Sequence, residues 1–208
     1  MGYLSVEGEC RTQKIIEKSR FIATSAHVEG EEEARQFVAR ISSEFSDATH
    51  NCYAYICDEK GNFLRFSDDG EPQGTAGMPM LEVLKAKKLV QTAVVVTRYF
   101  GGIKLGAGGL VRAYSGCTAD NLSCAKLVCY QECAEGEYSV DYPLAEMAKR
   151  YFAENDCSVL SVDYGSSVTF TVAVKAEIEV AFNGALTDRL NGKVIISPRR
   201  RYHYPFPV

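Results

Sequence analysis

The sequence predicts an α+β protein of two domains, and three observations support this fold class. Strand and helix patterns alternate along the first half of the chain. Beyond about residue 136 the elements follow the order βαββαβ, which is the order of the ferredoxin-like unit. A length of 208 residues with 46% hydrophobic content suits one large domain or two small ones. We therefore expect an N-terminal domain over residues 1–134 and a ferredoxin-like C-terminal domain over residues 136–208.

Hydrophobic periodicity predicts the elements of the first half. The pattern indicates helices at 31–45, 79–88 and 107–128, and strands at 21–28, 51–58, 63–66 and 89–99. The first helix places one apolar stripe inward, formed by Ala34, Phe37, Val38, Ile41 and Phe45. The strands at 51–58 and 63–66 form a hairpin. The strand at 89–99 is apolar along most of its length, as expected for a central strand covered on both faces.

The second half divides into short elements with clear periods. It contains predicted strands at 137–142, 157–164 and 167–175, helices at 143–155 and 177–190, and a last strand that begins at 193–197. The helix at 143–155 is expected to bury Leu144, Met147, Ala148, Tyr151 and Phe152. The turn at Gly165-Ser166 joins two strands into a hairpin, because apolar and polar residues alternate after it.

Charge and cysteine usage restrict the class of protein. The net charge is −4, so any binding to nucleic acid must be local. No apolar run approaches the roughly 20 residues of a membrane span, and the N-terminus lacks a signal-peptide pattern, so we expect a cytoplasmic protein without a membrane partner. The eight cysteines contain no CxxC pair, which favours buried, reduced thiols over a zinc site at Cys117, Cys124, Cys129 and Cys133.

A glycine-rich turn at residues 98–114, RYFGGIKLGAGGLVRAY, follows the predicted central strand and leads into a helix. Free backbone N–H groups and the helix dipole at such a junction favour a bound anion, above all a phosphate. The residues predicted to bind an anion or nucleic acid are Arg98, Gly101, Gly102, Lys104, Gly106, Gly108, Gly109 and Arg112. The alternative is that the glycines serve only a sharp turn and close helix packing.

The turn does not match the two common nucleotide-binding motifs. A Walker loop requires lysine after its second glycine, but Ala107 follows Gly106. The dinucleotide fingerprint requires a third small residue where this chain has Val111. A second basic zone lies in the tail, from Lys193 to the end of RRRYHYPFPV, and is a further candidate for phosphate contacts or simply a soluble end.

An acidic segment, Asp68-Asp69-Gly70-Glu71, is a candidate magnesium loop, although a solvated turn is the more ordinary interpretation. His50 and Cys52 share one face of a predicted strand. They form a possible base and nucleophile, but a structural, hydrogen-bonded histidine is the commoner case. The possible accessory or metal-binding residues are therefore His50, Asp68, Asp69 and Glu71.

Three segments together resemble the IMPACT family, in particular its bacterial YigZ-like members: HNCYAY at 50–55, DDGEPQGTAGMPML at 68–81, and VVVTRYFGGIKLGAGGLVRAY at 94–114. The resemblance implies an N-terminal α/β sandwich like the second domain of a small-subunit ribosomal protein, and a C-terminal ferredoxin-like module like those of translation factors. It also implies a role in the regulation of translation, and it supplies no catalytic residue to assign to this chain. We expect no cofactor.

Three hypotheses of function follow, of which the third and plainest is a protein-interaction module in which the acidic segment and the glycine-rich turn dock a partner. The first is a non-catalytic regulator that binds RNA, the ribosome or another phosphate-bearing partner, with a protein of the translation apparatus as a further possibility. The second is an enzyme that acts on a phosphorylated small molecule, with phosphate held by the glycine-rich turn and magnesium by the acidic segment. The second hypothesis requires the two segments to converge.

Overall fold

The computed structural model describes residues 2–208, which form two compact units, Tyr3–Val128 with Pro207–Val208, and Cys129–Phe206 with Gly2. The helices are α1 Gly30–Glu44, α2 Gly77–Ala86, α3 Gly106–Cys124, α4 Ala145–Glu154 and α5 Glu179–Arg189, with a 3-10 turn at Tyr142–Leu144. The strands are β1 Tyr3–Val6, β2 Glu9–Ile16, β3 Ser19–His27, β4 His50–Ile56, β5 Leu64–Ser67, β6 Thr92–Tyr99, β7 Leu127–Val140, β8 Cys157–Tyr164, β9 Val168–Lys175 and β10 Ile195–Pro207.

The N-terminal unit is built on an antiparallel sheet with the strand order β2-β3-β6-β4-β5. Strand β6 is central, and every residue from Thr92 to Arg98 is buried. This confirms the prediction of a strand covered on both faces. Because successive side chains of a strand point to opposite faces, Val94 and Val95 contribute to different cores.

Helices cover the two faces of this sheet. Helix α1 buries Phe37 and Ile41 against Tyr55 and Val95 on one face. Helices α2 and α3 cover the other face, where the core contains Phe21, Met80, Leu84, Val94, Leu110 and Tyr114. The unit is therefore a sandwich of helices and sheet, and the junction between β6 and α3 lies at the end of its central strand.

The C-terminal unit has the predicted order βαββαβ, formed by β7, α4, β8, β9, α5 and β10. Strand β7 pairs with both β9 and β10, and β9 pairs with β8. Helices α4 and α5 pack on one face of this sheet over an aromatic core that contains Tyr138, Tyr151, Phe152, Phe170 and Phe182. The two-domain α+β fold class is confirmed.

Several element boundaries differ from the prediction. Helix α3 ends at Cys124 rather than at 128, because Ala125 has the extended dihedrals φ −67 and ψ 146. Strand β7 then begins at Leu127, ten residues before the predicted start at 137. Strands β1 and β2 were not predicted. Strand β1 has only four residues, and β2 is a largely exposed edge strand of polar sequence. Met147 is 41% exposed, so its predicted inward position was wrong.

No helix among residues 2–208 combines the length and apolar character needed to cross a membrane.

Candidate functional site

The glycine-rich turn connects the end of β6 to the start of α3, and its glycines serve different purposes. Gly102 and Gly106 have φ values of +87° and +68°, which other residues adopt only with strain. Gly101 meets a different requirement: a Cβ at this position would lie 2.0 Å from the carbonyl oxygen of Lys18. The turn is therefore packed directly against the backbone of the β2–β3 hairpin.

The start of α3 lies at the surface of the N-terminal unit. Residues 102–104 and 106–108 are exposed, and the first turn of the helix contains no acidic residue. The N-cap residue, Leu105, has helical dihedrals and makes no capping hydrogen bond, and within residues 2–208 no other side chain bonds to the first N–H groups of this helix. Uncapped N–H groups and the positive end of the helix dipole together favour an anion at this position.

Two of the three predicted cations lie at the surface beside these N–H groups. Lys104 and Arg112 are exposed, and no carboxylate of residues 2–208 forms an ion pair with either of them. The Arg112 guanidinium lies along the first turn of α3, since its Nη1 atom is 3.8 Å from the position of a Cβ on Gly108. The sequence therefore places two uncompensated positive charges next to the exposed turn.

Arg98 lies inside the N-terminal unit rather than at its surface. Its residue is only 4% exposed, and its Nη1 atom donates to Glu71 Oε1 at 2.6 Å. Its Nη2 atom donates to Ser19 Oγ at 3.2 Å, and its buried Nε atom has no hydrogen-bond partner in the described part of the chain, residues 2–208. The guanidinium carbon is 5.4 Å from the ring centroids of both Phe21 and Phe100. Through these contacts Arg98 joins the start of the glycine-rich turn to the interior of the N-terminal unit.

Glu71 brings the acidic segment to the start of the glycine-rich turn. It is 8% exposed, and its Oε1 atom accepts a second hydrogen bond, at 2.8 Å, from the hydroxyl of Tyr114 in α3. His50, which pairs with Arg98 in the sheet register, places Nε2 3.9 Å from Glu71 Oε2. His50, Glu71 and Arg98 were predicted as site residues of separate segments, and they lie together here. The contacts of Ser19 and Tyr114 with this pair were not predicted, because neither residue carries a local signal of them.

Asp68 and Asp69 use their carboxylates to shape the backbone. Asp68 Oδ1 accepts from the N–H groups of Ala76 at 3.0 Å and Gly77 at 2.8 Å, and Oδ2 accepts from Gly74 at 2.7 Å. Asp69 Oδ2 accepts from the N–H of Asn51. Within residues 2–208, no group of three His, Cys, Asp or Glu side chains is arranged to hold a metal ion.

His50 and Cys52 contact successive carbonyl groups rather than each other. His50 Nδ1 lies 2.7 Å from the carbonyl oxygen of Asp69, and the thiol of Cys52 donates to that of Asp68 at 3.0 Å. Burial raises the pKa of the Cys52 thiol to about 12. The thiol is therefore protonated at neutral pH, which is the opposite of an activated nucleophile.

The aromatic residues near the turn have different exposures. Tyr114 is fully buried, and Tyr99 donates to Asp47 Oδ1 at 2.6 Å beneath the guanidinium of Arg20. Phe100 is 47% exposed, and its N–H donates to Thr49 Oγ1 at 3.0 Å. Tyr99 is partly exposed, and Phe100 is the most exposed of these three residues.

The basic tail is a strand whose arginines face carboxylates. In β10, Arg199 contacts Glu137, Arg200 donates to Glu135 Oε2 at 3.1 Å, and Arg201 contacts Glu179. These contacts leave the tail less free than Lys104 and Arg112 to attract a phosphate.

Two known protein-domain families match this chain, and one of them covers the segments that form the candidate site. The model of the Impact N-terminal domain matches residues 17–122, and a domain of unknown function, DUF1949, matches residues 139–193. IMPACT family member YvyE of Bacillus subtilis is 40% identical over 192 residues, covering 92% of this chain and 88% of that protein. IMPACT family member YigZ of Escherichia coli is 37% identical, covering 86% of this chain and 89% of that protein.

A solved structure extends the likeness to nearly the whole fold. The crystal structure of a hypothetical protein superposes with a TM-score of 0.61 at 32% identity, and the match covers 96% of this chain and 98% of the other. The two matched domains and the full-length relatives lead to one conclusion: this chain is a bacterial-type member of the IMPACT family.

Proposed function

We propose that the protein is a non-catalytic, translation-linked regulator that binds phosphate groups of RNA, the ribosome or a protein partner of the translation apparatus through its glycine-rich turn. The observation that carries this proposal is the uncapped start of α3 beside Lys104 and Arg112, two exposed cations without a carboxylate partner in the described residues. Membership of the IMPACT family supports the link to translation.

The neighbouring Phe100 favours single-stranded RNA among these partners. Its exposed ring lies beside the turn, and the backbone contact with Thr49 holds it in place. Aromatic rings of this kind stack on unpaired bases, while adjacent cations and N–H groups bind the phosphates. A net charge of −4 restricts such binding to this local surface.

The test is the salt dependence of binding to a single-stranded oligoribonucleotide and to purified ribosomes, measured by fluorescence anisotropy and co-sedimentation. We expect affinity to fall steeply with salt, and Lys104→Ala to reduce the log–log slope by about 0.7. Lys60→Ala removes an exposed lysine of the β4–β5 turn and serves as the matched control, with an unchanged slope. Absence of binding to both RNA and ribosomes at low salt would count decisively against the proposal.

A second candidate function is an enzyme that acts on a phosphorylated small molecule. The contact between Glu71 and Arg98 favours it, because it brings the acidic segment and the glycine-rich turn to one place. The backbone hydrogen bonds of Asp68 and Asp69 weigh against a free magnesium loop. Release of inorganic phosphate from a panel of nucleotides and sugar phosphates, lost in Asp69→Ala, would favour the enzyme over the regulator.

A further inference from the structure

A groove on the other face of the N-terminal sheet, the face covered by α1, is separate from the glycine-rich turn. Its volume is about 420 Å³, within the roughly 300–1,000 Å³ that small-molecule sites occupy. The groove is lined by Arg35, Val38, Ala39, Tyr53, Tyr55 and Arg65.

The groove exists because α1 does not cover the edge of the sheet. The core beneath α1 contains residues of β3, β4 and β6, whereas the four-residue strand β5 contributes none of the side chains packed there. Arg65 of β5 pairs with Tyr55 of β4 in the register, so both side chains point to the α1 face. Arg35, Val38 and Ala39 form one stripe of α1 and thus the opposite wall.

The floor of the groove is aromatic. The rings of Tyr53 and Tyr55 are parallel to within 9°, with centroids 5.9 Å apart. Tyr55 is buried, and it supports the partly exposed ring of Tyr53. A flat, rigid aromatic surface of this kind favours stacking with a planar ring.

Two arginines, Arg35 and Arg65, lie in the walls of the groove. Arg65 is exposed, its guanidinium donates to the carbonyl of Leu64 at 3.1 Å, and no carboxylate of residues 2–208 forms an ion pair with it. Arg35 donates to Glu31 Oε1 from Nε at 3.2 Å and from Nη2 at 2.9 Å, one helical turn away, in a solvent-exposed contact. Exposed ion pairs contribute little free energy, so Glu31 competes only weakly with a phosphate for this guanidinium. A guanidinium fork matches the oxygens of a phosphate.

We propose that this groove binds a small planar anion of the mononucleotide class, with its base against Tyr53 and its phosphate held by Arg65 and Arg35. Both parts of such a ligand are required, because the floor offers stacking and the walls offer charge.

Isothermal titration calorimetry of the full chain with adenosine 5′-monophosphate tests the proposal, with adenosine and inorganic phosphate as half-ligands. We expect the nucleotide to bind at least tenfold more tightly than either half. Arg65→Ala and Tyr53→Leu should each weaken binding at least tenfold, whereas Tyr53→Phe should retain it. Arg150→Ala, which removes an exposed arginine of the C-terminal unit, is the matched control and should have no effect.

Three results would overturn the proposal. The first is the absence of saturable nucleotide binding up to millimolar concentration. The second is binding that Lys104→Ala abolishes and Arg65→Ala leaves intact, which would assign the nucleotide to the glycine-rich turn. The third is binding of a 5′-phosphorylated oligoribonucleotide without binding of the mononucleotide. Near-UV circular dichroism verifies that each variant is folded, and Arg65 is exposed enough for its replacement to leave the core unchanged.

Discussion

Arg98 and Glu71 form an ion pair in which both side chains are almost wholly buried. Removing two charges from water is costly, and their attraction offsets that cost only while both are present and hydrogen-bonded. Ser19 and Tyr114 supply the additional hydrogen bonds. The buried ion pair is therefore held by two further residues, Ser19 and Tyr114, which lie in other segments of the sequence.

We expect Glu71→Gln to lower the free energy of unfolding by about 3–5 kcal/mol, because the charge of Arg98 would stay buried without an anion. Urea denaturation measures this change. Glu82 is the matched control, since it pairs with Lys85 at 3.1 Å on the surface. Glu82→Gln should change stability by less than about 0.5 kcal/mol. Equal effects of the two substitutions would contradict the role assigned to the buried pair.

Gly101 is fixed by close packing rather than by its dihedral angles. We expect Gly101→Ala to destabilise the protein strongly, because the new Cβ would lie 2.0 Å from Lys18 O and 2.1 Å from its carbonyl carbon, and neither backbone atom can yield. Gly108→Ala is the control: its Cβ meets nothing nearer than Arg112 Nη1 at 3.8 Å. There the helix should gain about 0.5–1 kcal/mol. Thermal unfolding of both variants measures the result: the melting temperature should fall for Gly101→Ala and rise for Gly108→Ala.

Single-residue chemistry predicted part of the candidate site. Positive φ at Gly102 and Gly106 follows from glycine in a turn before a helix. The burial of Arg98 does not follow, because its partners Glu71 and Ser19 are 27 and 79 positions away in the chain. Local sequence gives charge and turn chemistry, but the contact between distant segments depends on how the sheet is assembled.

Among the elements, α2 begins with help from a residue outside it. The N-cap residue of α2 is Ala76, whose side chain makes no capping hydrogen bond. Asp68 instead accepts hydrogen bonds from the N–H groups of Ala76 and Gly77. We expect Asp68→Ala to cost about 1–3 kcal/mol, since it leaves these partly buried donors unpaired. Asp163→Ala, at an exposed position of β8, should be nearly neutral. A neutral Asp68→Ala in urea denaturation would refute this remote capping.

Elements with one strong period were predicted well, whereas the polar strand β2 was missed. Helix α1 and strand β9 lie close to their predicted bounds, because a stripe of period 3.6 and a strict alternation mark them. Strand β2 has mostly polar, exposed residues and gives no such signal. The predicted helix at 107–128 includes Leu127 and Val128, the first two residues of β7, because these apolar residues also fit helical spacing.

At the scale of the molecule, each unit has a hydrophobic core of its own. We propose on this basis that the chain folds as two separate domains, as predicted for residues 1–134 and 136–208. Because β7 pairs with β9 from Cys133 onward, the fragments to test are divided between Val128 and Cys129, which keeps this pairing within one fragment. Expressed apart, each fragment should give dispersed amide signals in a two-dimensional NMR spectrum and a cooperative thermal transition. Collapsed spectra for both fragments, with the full chain well folded, would show that the two units depend on each other.

The buried contact between Glu71 and Arg98 has a consequence for regulation and for evolution. It joins the acidic segment, residues 68–71, to the start of the glycine-rich turn, so a displacement of one segment should disturb the other. We therefore expect a partner that binds one segment to alter the amide protection of the other. Replacing either charge alone leaves the other buried without an ion-pair partner, so we also expect the two residues to be replaced together.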